Sequence, residues 1–249
     1  MAHAEQRYGS AGDEFPWYVA FEDPQSVTGS MVFFADFPGY DQVDRKSLLQ
    51  VLSSKLVSGT GPHTSFMKSR EDGLAYDSMI TSDPSLKLLW YYGERSSDVP
   101  SLIGLVNSIA EQIPSFHDES LIDYALQQTF SVPRSMSTLT ERGRGLARDI
   151  RDGNEPEKVR RFSQSVLKLR KDPDLLSELT RVGLDSISPL LIKEEFRSQQ
   201  HKARSLFFFV GPERILSDVE KRLPVGKLLR LYPSDFWIEF PSTSERSAK

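Results

Sequence analysis

The sequence predicts an α+β protein, a two-layer sandwich in which helices pack on one face of a mixed sheet dominated by antiparallel pairing. Two observations lead to this fold class. Aromatic and β-branched runs occur in pairs, and the segments with helical spacing of apolar residues are clustered between those pairs. This grouping is typical of α+β domains, whereas a regular alternation of strands and helices would favour a parallel sheet.

The first two strands are predicted from aromatic runs near the N-terminus. Residues 17–21 and 30–37 are rich in aromatic and β-branched side chains, and turn signals at Pro24 and Gly29 separate them. Such runs favour strands, and their closeness in the chain predicts that they are adjacent antiparallel neighbours. Pro38 and Gly39 end the second strand.

A helix, a hairpin and a second helix are expected next. Residues 44–58 carry leucine and valine at helical spacing, and Gly59 stands where a left-handed C-terminal cap belongs. Residues 77–81 and 86–92 are strand patterns on either side of a turn at Pro84, which predicts a hairpin. A helix then begins near Asp98 and Pro100, and Pro114 closes it.

The second half of the chain is predicted to be mostly helical. A helix over 118–130 is followed by polar, helix-prone sequence to residue 191, and residues 205–210 then form a buried-strand pattern before a short helix. We therefore expect a flexible lead-in at 1–15, one domain at 16–225, and a C-terminal extension and tail at 226–249, the apolar part of which docks on the body.

Composition excludes several classes of function. The formal net charge of −4 comes from 31 basic and 35 acidic residues that are interspersed, so no basic field is expected to hold a nucleic acid. No apolar run is long enough to cross a bilayer, and the N-terminus has neither the basic nor the apolar region of a signal peptide. We expect a soluble chain without a membrane partner, in a compartment that the sequence leaves unknown.

The sequence offers few metal ligands. It contains no cysteine, and no histidine lies three or four residues from another, as a helical zinc pair requires. The histidines are His3, His63, His117 and His201. We therefore predict no metal site and no cofactor in this chain.

The most specific segment lies at residues 67–76, where a basic residue, a glycine break and a tyrosine precede a strand. Arg70 stands six residues before Tyr76, with Gly73 between them. The segment resembles the arginine–tyrosine signature of insulinase and pitrilysin-type zinc peptidases. The six-residue spacing is that of presequence-degrading members, while many others place the arginine at the position of Ser69, and Lys68 is a weaker substitute. The order of elements over residues 17–223 also resembles one domain of that family, although only the signature is specific.

The resemblance implies the C-terminal domain of a zinc metalloendopeptidase, the domain that does not hold the metal. In the family a homologous domain carries zinc on His-x-x-Glu-His, a motif absent from this sequence. Arg70 and Tyr76 would face that zinc, with the guanidinium binding a substrate carbonyl or carboxylate and the phenol stabilising the oxyanion. His63 and Thr64 are secondary substrate-binding candidates. The resemblance further implies that the chain has no catalytic residues of its own, and that its partners are a zinc-bearing domain or subunit and a peptide.

Four alternatives remain open, two for the function and two for the site. The same fold can serve as a non-catalytic structural or interaction module, as in core subunits of the mitochondrial cytochrome reductase, and a self-contained α+β enzyme is a more remote possibility.

The glycine-rich loop at 58–63 follows a helix and lacks the lysine of a phosphate loop, which favours a helix cap and turn. A basic stretch could receive an acidic peptide, but its interleaved acids favour a solvated helix face. The stretch comprises Arg142, Arg144, Arg148 and Arg151.

Overall fold

The computed structural model describes residues 15–134, 138–223 and 228–236. The strands are β1 Trp17–Glu22, β2 Gly29–Asp36, β3 Asp77–Asp83, β4 Leu88–Ser96, β5 Leu206–Gly211 and β6 Leu229–Leu231. The α-helices of this part of the chain are α1 Arg45–Lys55, α2 Ser65–Glu71, α3 Val99–Gln112, α4 Ser120–Arg134, α5 Leu139–Arg151, α6 Pro156–Leu169, α7 Leu175–Ile187, α8 Arg197–Lys202 and α9 Glu213–Glu220. Short 3₁₀ turns lie at Ile113–Ser115, Ser188–Leu190, Glu194–Phe196 and Pro233–Phe236. The predicted lead-in up to residue 14 and the tail from residue 237 lie outside the described residues.

The six strands form one mixed sheet in the order β3-β4-β2-β5-β1-β6. Antiparallel pairing joins β3 to β4, β4 to β2 and β2 to β5, while β5 pairs in parallel with β1, and β1 with β6. The predicted antiparallel-dominated mixed sheet and the β3–β4 hairpin are therefore confirmed.

The prediction that β1 and β2 are neighbours is wrong, because β5 lies between them. Val19 of β1 and Val32 of β2 both stand opposite Phe208 of β5, one on each side. The three consecutive phenylalanines of β5 explain this central place. Phe207 and Phe209 join the main core on one face, while Phe208 packs in a second cluster on the other, so the strand buries aromatic surface on both sides.

Helices cover one face of this sheet. Met31, Phe33, Phe207 and Phe209 alternate along β2 and β5, are almost fully buried, and belong to one core with apolar residues of the helices. The rings of Phe33 and Phe207 meet edge to face with centroids 4.9 Å apart. Strand residues alone, with Val19 at the centre, make up the smaller cluster on the opposite face. The predicted two-layer arrangement is thus confirmed.

Helix α1 ends earlier than predicted. Asp44 caps its start by accepting a 3.0 Å hydrogen bond from the N–H of Ser47, but the helix stops at Lys55, four residues before Gly59. Gly59 does have the left-handed φ expected of it, +82°. Its purpose is different, since a Cβ there would come within 2.8 Å of the side chains of Gln128 and Tyr124 on α4. The glycine lets the loop approach α4 and does not cap α1.

The predicted C-terminal extension contributes a strand to the sheet. Leu229–Leu231 pairs in parallel with β1, and the half-buried Arg230 forms ion pairs with Glu213 and Glu220 of α9. Residues 228–236 are therefore joined to the body by backbone and side-chain contacts. Among the residues described, no helix combines the length and the hydropathy needed to cross a bilayer.

Candidate functional site

Arg70 lies in the last turn of α2, on the exposed side of the helix. Its guanidinium carbon stands 5.2 Å from the ring centroid of Phe66, one turn earlier. The helix ends where Gly73 takes a φ of +66°, and the N–H of Leu74 then donates 2.8 Å to the carbonyl of Ser69. A left-handed glycine followed by such a hydrogen bond is a common way for a helix to end, and here it turns the chain toward β3.

Tyr76 immediately precedes β3. Its backbone N–H donates a 3.0 Å hydrogen bond to the carbonyl of Glu94 on β4, so its main chain already belongs to the sheet. Its side chain is nevertheless 64% exposed. Within the described residues its hydroxyl has no hydrogen-bond partner. The phenol is thus held at a defined point and open to solvent.

Arg95 of β4 is the neighbour of this phenol, with its guanidinium carbon 5.2 Å from the centroid of the Tyr76 ring. The strand bulges here, because Gly29 pairs with Ser96 and Met31 with Gly93, which leaves Glu94 and Arg95 opposite one residue of β2. Arg95 has a left-handed φ of 54°. Sequence reasoning missed this residue, since no pattern around it marks the bulge.

His63 and Thr64 hydrogen-bond within their own loop, and the His63 ring also packs against α4. The Nε2 of His63 lies 2.7 Å from the carbonyl oxygen of Leu56, and its ring packs edge-on against Tyr124 at 5.1 Å. Thr64 is buried and its hydroxyl donates 2.7 Å to the carbonyl of Gly61. These contacts hold the loop as a turn between α1 and α2, which agrees with the turn favoured over a phosphate loop, whereas the helix cap expected with it is not formed by Gly59. A secondary binding role for the two residues stays a prediction.

The contacts of Arg70 and Arg95 differ from those of the ion-paired arginines. Arg45 pairs with Asp172 and Glu178, and Arg170 with Asp123. Within the described part of the chain, Arg70 and Arg95 form no ion pair, and each lies instead over an aromatic ring. A stacked guanidinium keeps its N–H donors for another acceptor, so both can bind a carbonyl or carboxylate of a ligand.

The other predicted features lie apart from this segment. Arg144 and Arg148 are exposed on α5, and Arg151 pairs with the adjacent Asp152 at 2.7 Å, as a solvated helix face would. The side chain of Arg142 lies outside what the structure describes. No group of three or more His, Cys, Asp or Glu residues in the described ranges is placed to hold a metal ion.

No protein-family model matches the sequence, and no curated protein matches it. Among solved structures, a protease from Helicobacter pylori aligns at 14% identity over 78% of this chain and 44% of that chain, with a TM-score of 0.52. Complex III2 from Candida albicans, with Inz-5 bound, contains a chain that aligns at 9% identity over 86% of this chain and 49% of that one, with a TM-score of 0.56. The chain has the fold of these two proteins.

These likenesses confirm the predicted α+β fold. Pitrilysin also aligns, at 13% identity over 84% of this chain and 22% of pitrilysin, but its TM-score of 0.45 is too low to add support. The chain spans less than half the length of the two proteins with the higher scores. It therefore corresponds in size to one part of each.

Proposed function

We propose that the chain is the domain without zinc in a two-domain insulinase-type peptidase, inactive alone, and that Arg70 and Tyr76 bind the peptide substrate. The observation that carries the proposal is the exposure of the Tyr76 ring, 64%, on a main chain held in the sheet by its bond to Glu94. A large aromatic side chain in solvent at a rigid point is available to a ligand. The fold shared with a protease supports the same assignment.

The two side chains have different chemical roles in this proposal. Arg70 supplies a charged, multidentate donor that binds a substrate carbonyl or carboxylate in the ground state. Tyr76 supplies a neutral O–H donor whose acceptor is the oxyanion formed during peptide hydrolysis, so it acts mainly in the transition state. The zinc-bearing partner domain would supply the activated water.

The proposal is tested by reconstitution with a homologous protein that carries His-x-x-Glu-His, sought first directly upstream in the genome. Peptide cleavage that a chelator abolishes should appear when the two proteins are mixed and be absent from each alone. Elemental analysis of this chain after dialysis should show no stoichiometric zinc. The proposal fails if this chain alone cleaves peptides, or if the zinc protein is equally active without it.

A second candidate is a non-catalytic interaction module with the same fold. The similarity to a chain of complex III2 from Candida albicans, at a TM-score of 0.56, favours it. Under this candidate the chain forms a stable complex that has no need of the Arg70 and Tyr76 side chains. Replacing both would then leave assembly and every activity of the complex unchanged, which the first proposal does not allow.

A further inference from the structure

We propose that Arg95 is a third residue of the substrate-binding surface, and that with Arg70 it binds carboxylate groups of an acidic peptide. The inference rests on the proposed function and names the class of peptide that this surface takes.

The backbone of Arg95 is strained. Its φ of 54° lies in the left-handed region, where the Cβ of any residue other than glycine crowds the main chain. The side chain is exposed, so core packing does not offset this cost. Lys87 and Arg204 are also exposed with a left-handed φ, so the strain alone assigns no role, and the contact with Tyr76 is what distinguishes Arg95.

The strained conformation places the guanidinium over the ring of Tyr76, 5.2 Å from its centroid. Stacking on a ring face restricts the side chain while leaving the N–H groups at the edge of the guanidinium free to donate. The same contact restricts the Tyr76 ring, which is otherwise exposed. Arg95 thus orders the phenol and presents a charge beside it.

Arg70 repeats this arrangement on the ring of Phe66, on the other side of the Gly73 turn. Exposed carboxylates lie close in the chain, at Glu71 and Glu94, yet in the described residues neither forms an ion pair with either arginine. A carboxylate can accept two parallel hydrogen bonds from one guanidinium, whereas a neutral peptide carbonyl cannot. The pair should therefore prefer acidic peptides.

The experiment follows the side-chain Nε–H signals of Arg70 and Arg95 by NMR in the full chain, with the ring signals of Tyr76 as a third reporter. The probes are a glutamate-rich synthetic peptide and its glutamine counterpart, each with a free and an amidated C-terminus. Both signals should shift with the glutamate peptide, which should bind at least about tenfold more tightly than the glutamine peptide. If amidation removes that difference in affinity, the recognised group is the C-terminal carboxylate. If the difference persists, the recognised groups are the glutamate side chains. Both results support the site.

Arg95→Gly is the decisive variant, because it removes the side chain and relieves the backbone strain. It should bind the glutamate peptide about tenfold more weakly while its Tm stays equal or rises. The chain offers a matched control in Arg204, which also has a left-handed φ, 50°, and stacks on a ring, that of Phe15, at 5.4 Å. Arg204 precedes β5, toward the opposite end of the sheet. Arg204→Gly should leave peptide affinity unchanged.

The outcomes separate this inference from the proposed function. If Arg95→Gly binds the glutamate peptide like the wild type while the signals of Arg70 and Tyr76 still shift, the role of Arg95 is wrong and the proposed function stands. If neither peptide shifts any signal of Arg70 or Tyr76, both are wrong. Equal affinity for the two peptides, with shifts at all three residues, would overturn the preference for acidic peptides.

Discussion

The backbone N–H of Tyr76 donates to the carbonyl of Glu94 across a distance of 3.0 Å, so the residue that exposes its ring is tied to the sheet by its main chain. The β3–β4 pairing continues from this point with Asp77 opposite Glu94. Because the side chain of Tyr76 is 64% exposed, changes to its ring should alter function without unfolding the domain.

Tyr76→Phe and Arg70→Ala should affect a reconstituted peptidase differently. Removing the hydroxyl should lower kcat by roughly 100-fold with little change in KM, since an oxyanion donor acts mainly in the transition state. Removing the guanidinium should raise KM as well as lower kcat, because it also holds the bound peptide. Steady-state kinetics measure both effects, with circular dichroism as the folding control. Wild-type rates in both variants would favour the non-catalytic module.

Lys55 should make the stability of the domain depend on pH. It is almost fully buried, its ammonium donates to the carbonyl of Ser82, and burial lowers its pKa to about 8. Between that value and the ordinary lysine pKa of 10.5 the unfolded chain binds more protons than the folded one. The free energy of unfolding should therefore rise with pH across this window, and the stabilisation is lost as the pH falls toward 8.

Urea denaturation of wild type and Lys55→Met at about pH 7 and about pH 9.5 tests this dependence. At the lower pH the methionine variant should be more stable than the wild type by on the order of 1–3 kcal/mol. Its free energy of unfolding should rise much less between the two pH values. Measurements stay below pH 10, because burial raises the pKa of Tyr18 to about 12. Above pH 10 this tyrosine ionises in the unfolded chain before it does in the folded one, so the free energy of unfolding falls again. Parallel pH profiles for the two proteins would contradict the prediction.

Two mid-helix glycines should respond oppositely to alanine. A Cβ at Gly183 of α7 would clash with Ile113 at the end of α3, whereas a Cβ at the exposed Gly104 of α3 meets nothing within 4 Å. Gly104→Ala should raise the free energy of unfolding by up to about 1 kcal/mol through lower chain entropy. Gly183→Ala should lower it by about 1–3 kcal/mol through overpacking. Thermal denaturation compares them directly, and equal shifts in Tm would argue against the close α7–α3 contact.

Arg230 should stabilise the attachment of β6. Its side chain is 15% exposed and pairs with Glu213 and Glu220 of α9. Arg230→Ala should lower the free energy of unfolding by about 1–2 kcal/mol, since it removes a largely buried side chain together with both of its ion pairs.

The matched control for Arg230 is Arg160, 67% exposed in its pair with Glu157. Arg160→Ala should change stability by less than about 0.5 kcal/mol, because ion pairs between exposed side chains contribute little. Urea denaturation measures both variants. A loss at Arg230 no larger than that at Arg160 would show that its ion pairs do not stabilise the attachment of β6.

The sequence predicted best those elements whose signals are local. Asp44 and Asp98 each precede a helix and each accepts from the N–H three residues on, as cap residues do. The position of β5 in the sheet, by contrast, depends on pairing between distant parts of the chain. It pairs with strands more than a hundred residues earlier in the chain, while the turn signals between β1 and β2 favoured a direct hairpin.

The same distinction applies to the candidate site. Arg70 and Tyr76 were accessible to sequence reasoning because they share one short segment with Gly73. Arg95 was not, since its position depends on a bulge opposite Ser30 and on a backbone angle that arginine seldom adopts. Thr64 could be named as a candidate, but its complete burial could not be predicted, because burial depends on the packing of the folded domain.

The place of β1 between β5 and β6 has a consequence for how the chain is made. Both neighbours of β1 come from residues after 205, so a ribosome must synthesise nearly the whole domain before Trp17–Glu22 can enter the sheet. Until then this aromatic segment has no edge to pair with, and unpaired apolar strands are the parts of nascent proteins that aggregate and bind chaperones. The antiparallel group of β2, β4 and β3 needs no such wait, since its strands all emerge by residue 96. Biosynthesis of this protein should therefore leave its first strand exposed for the longest time.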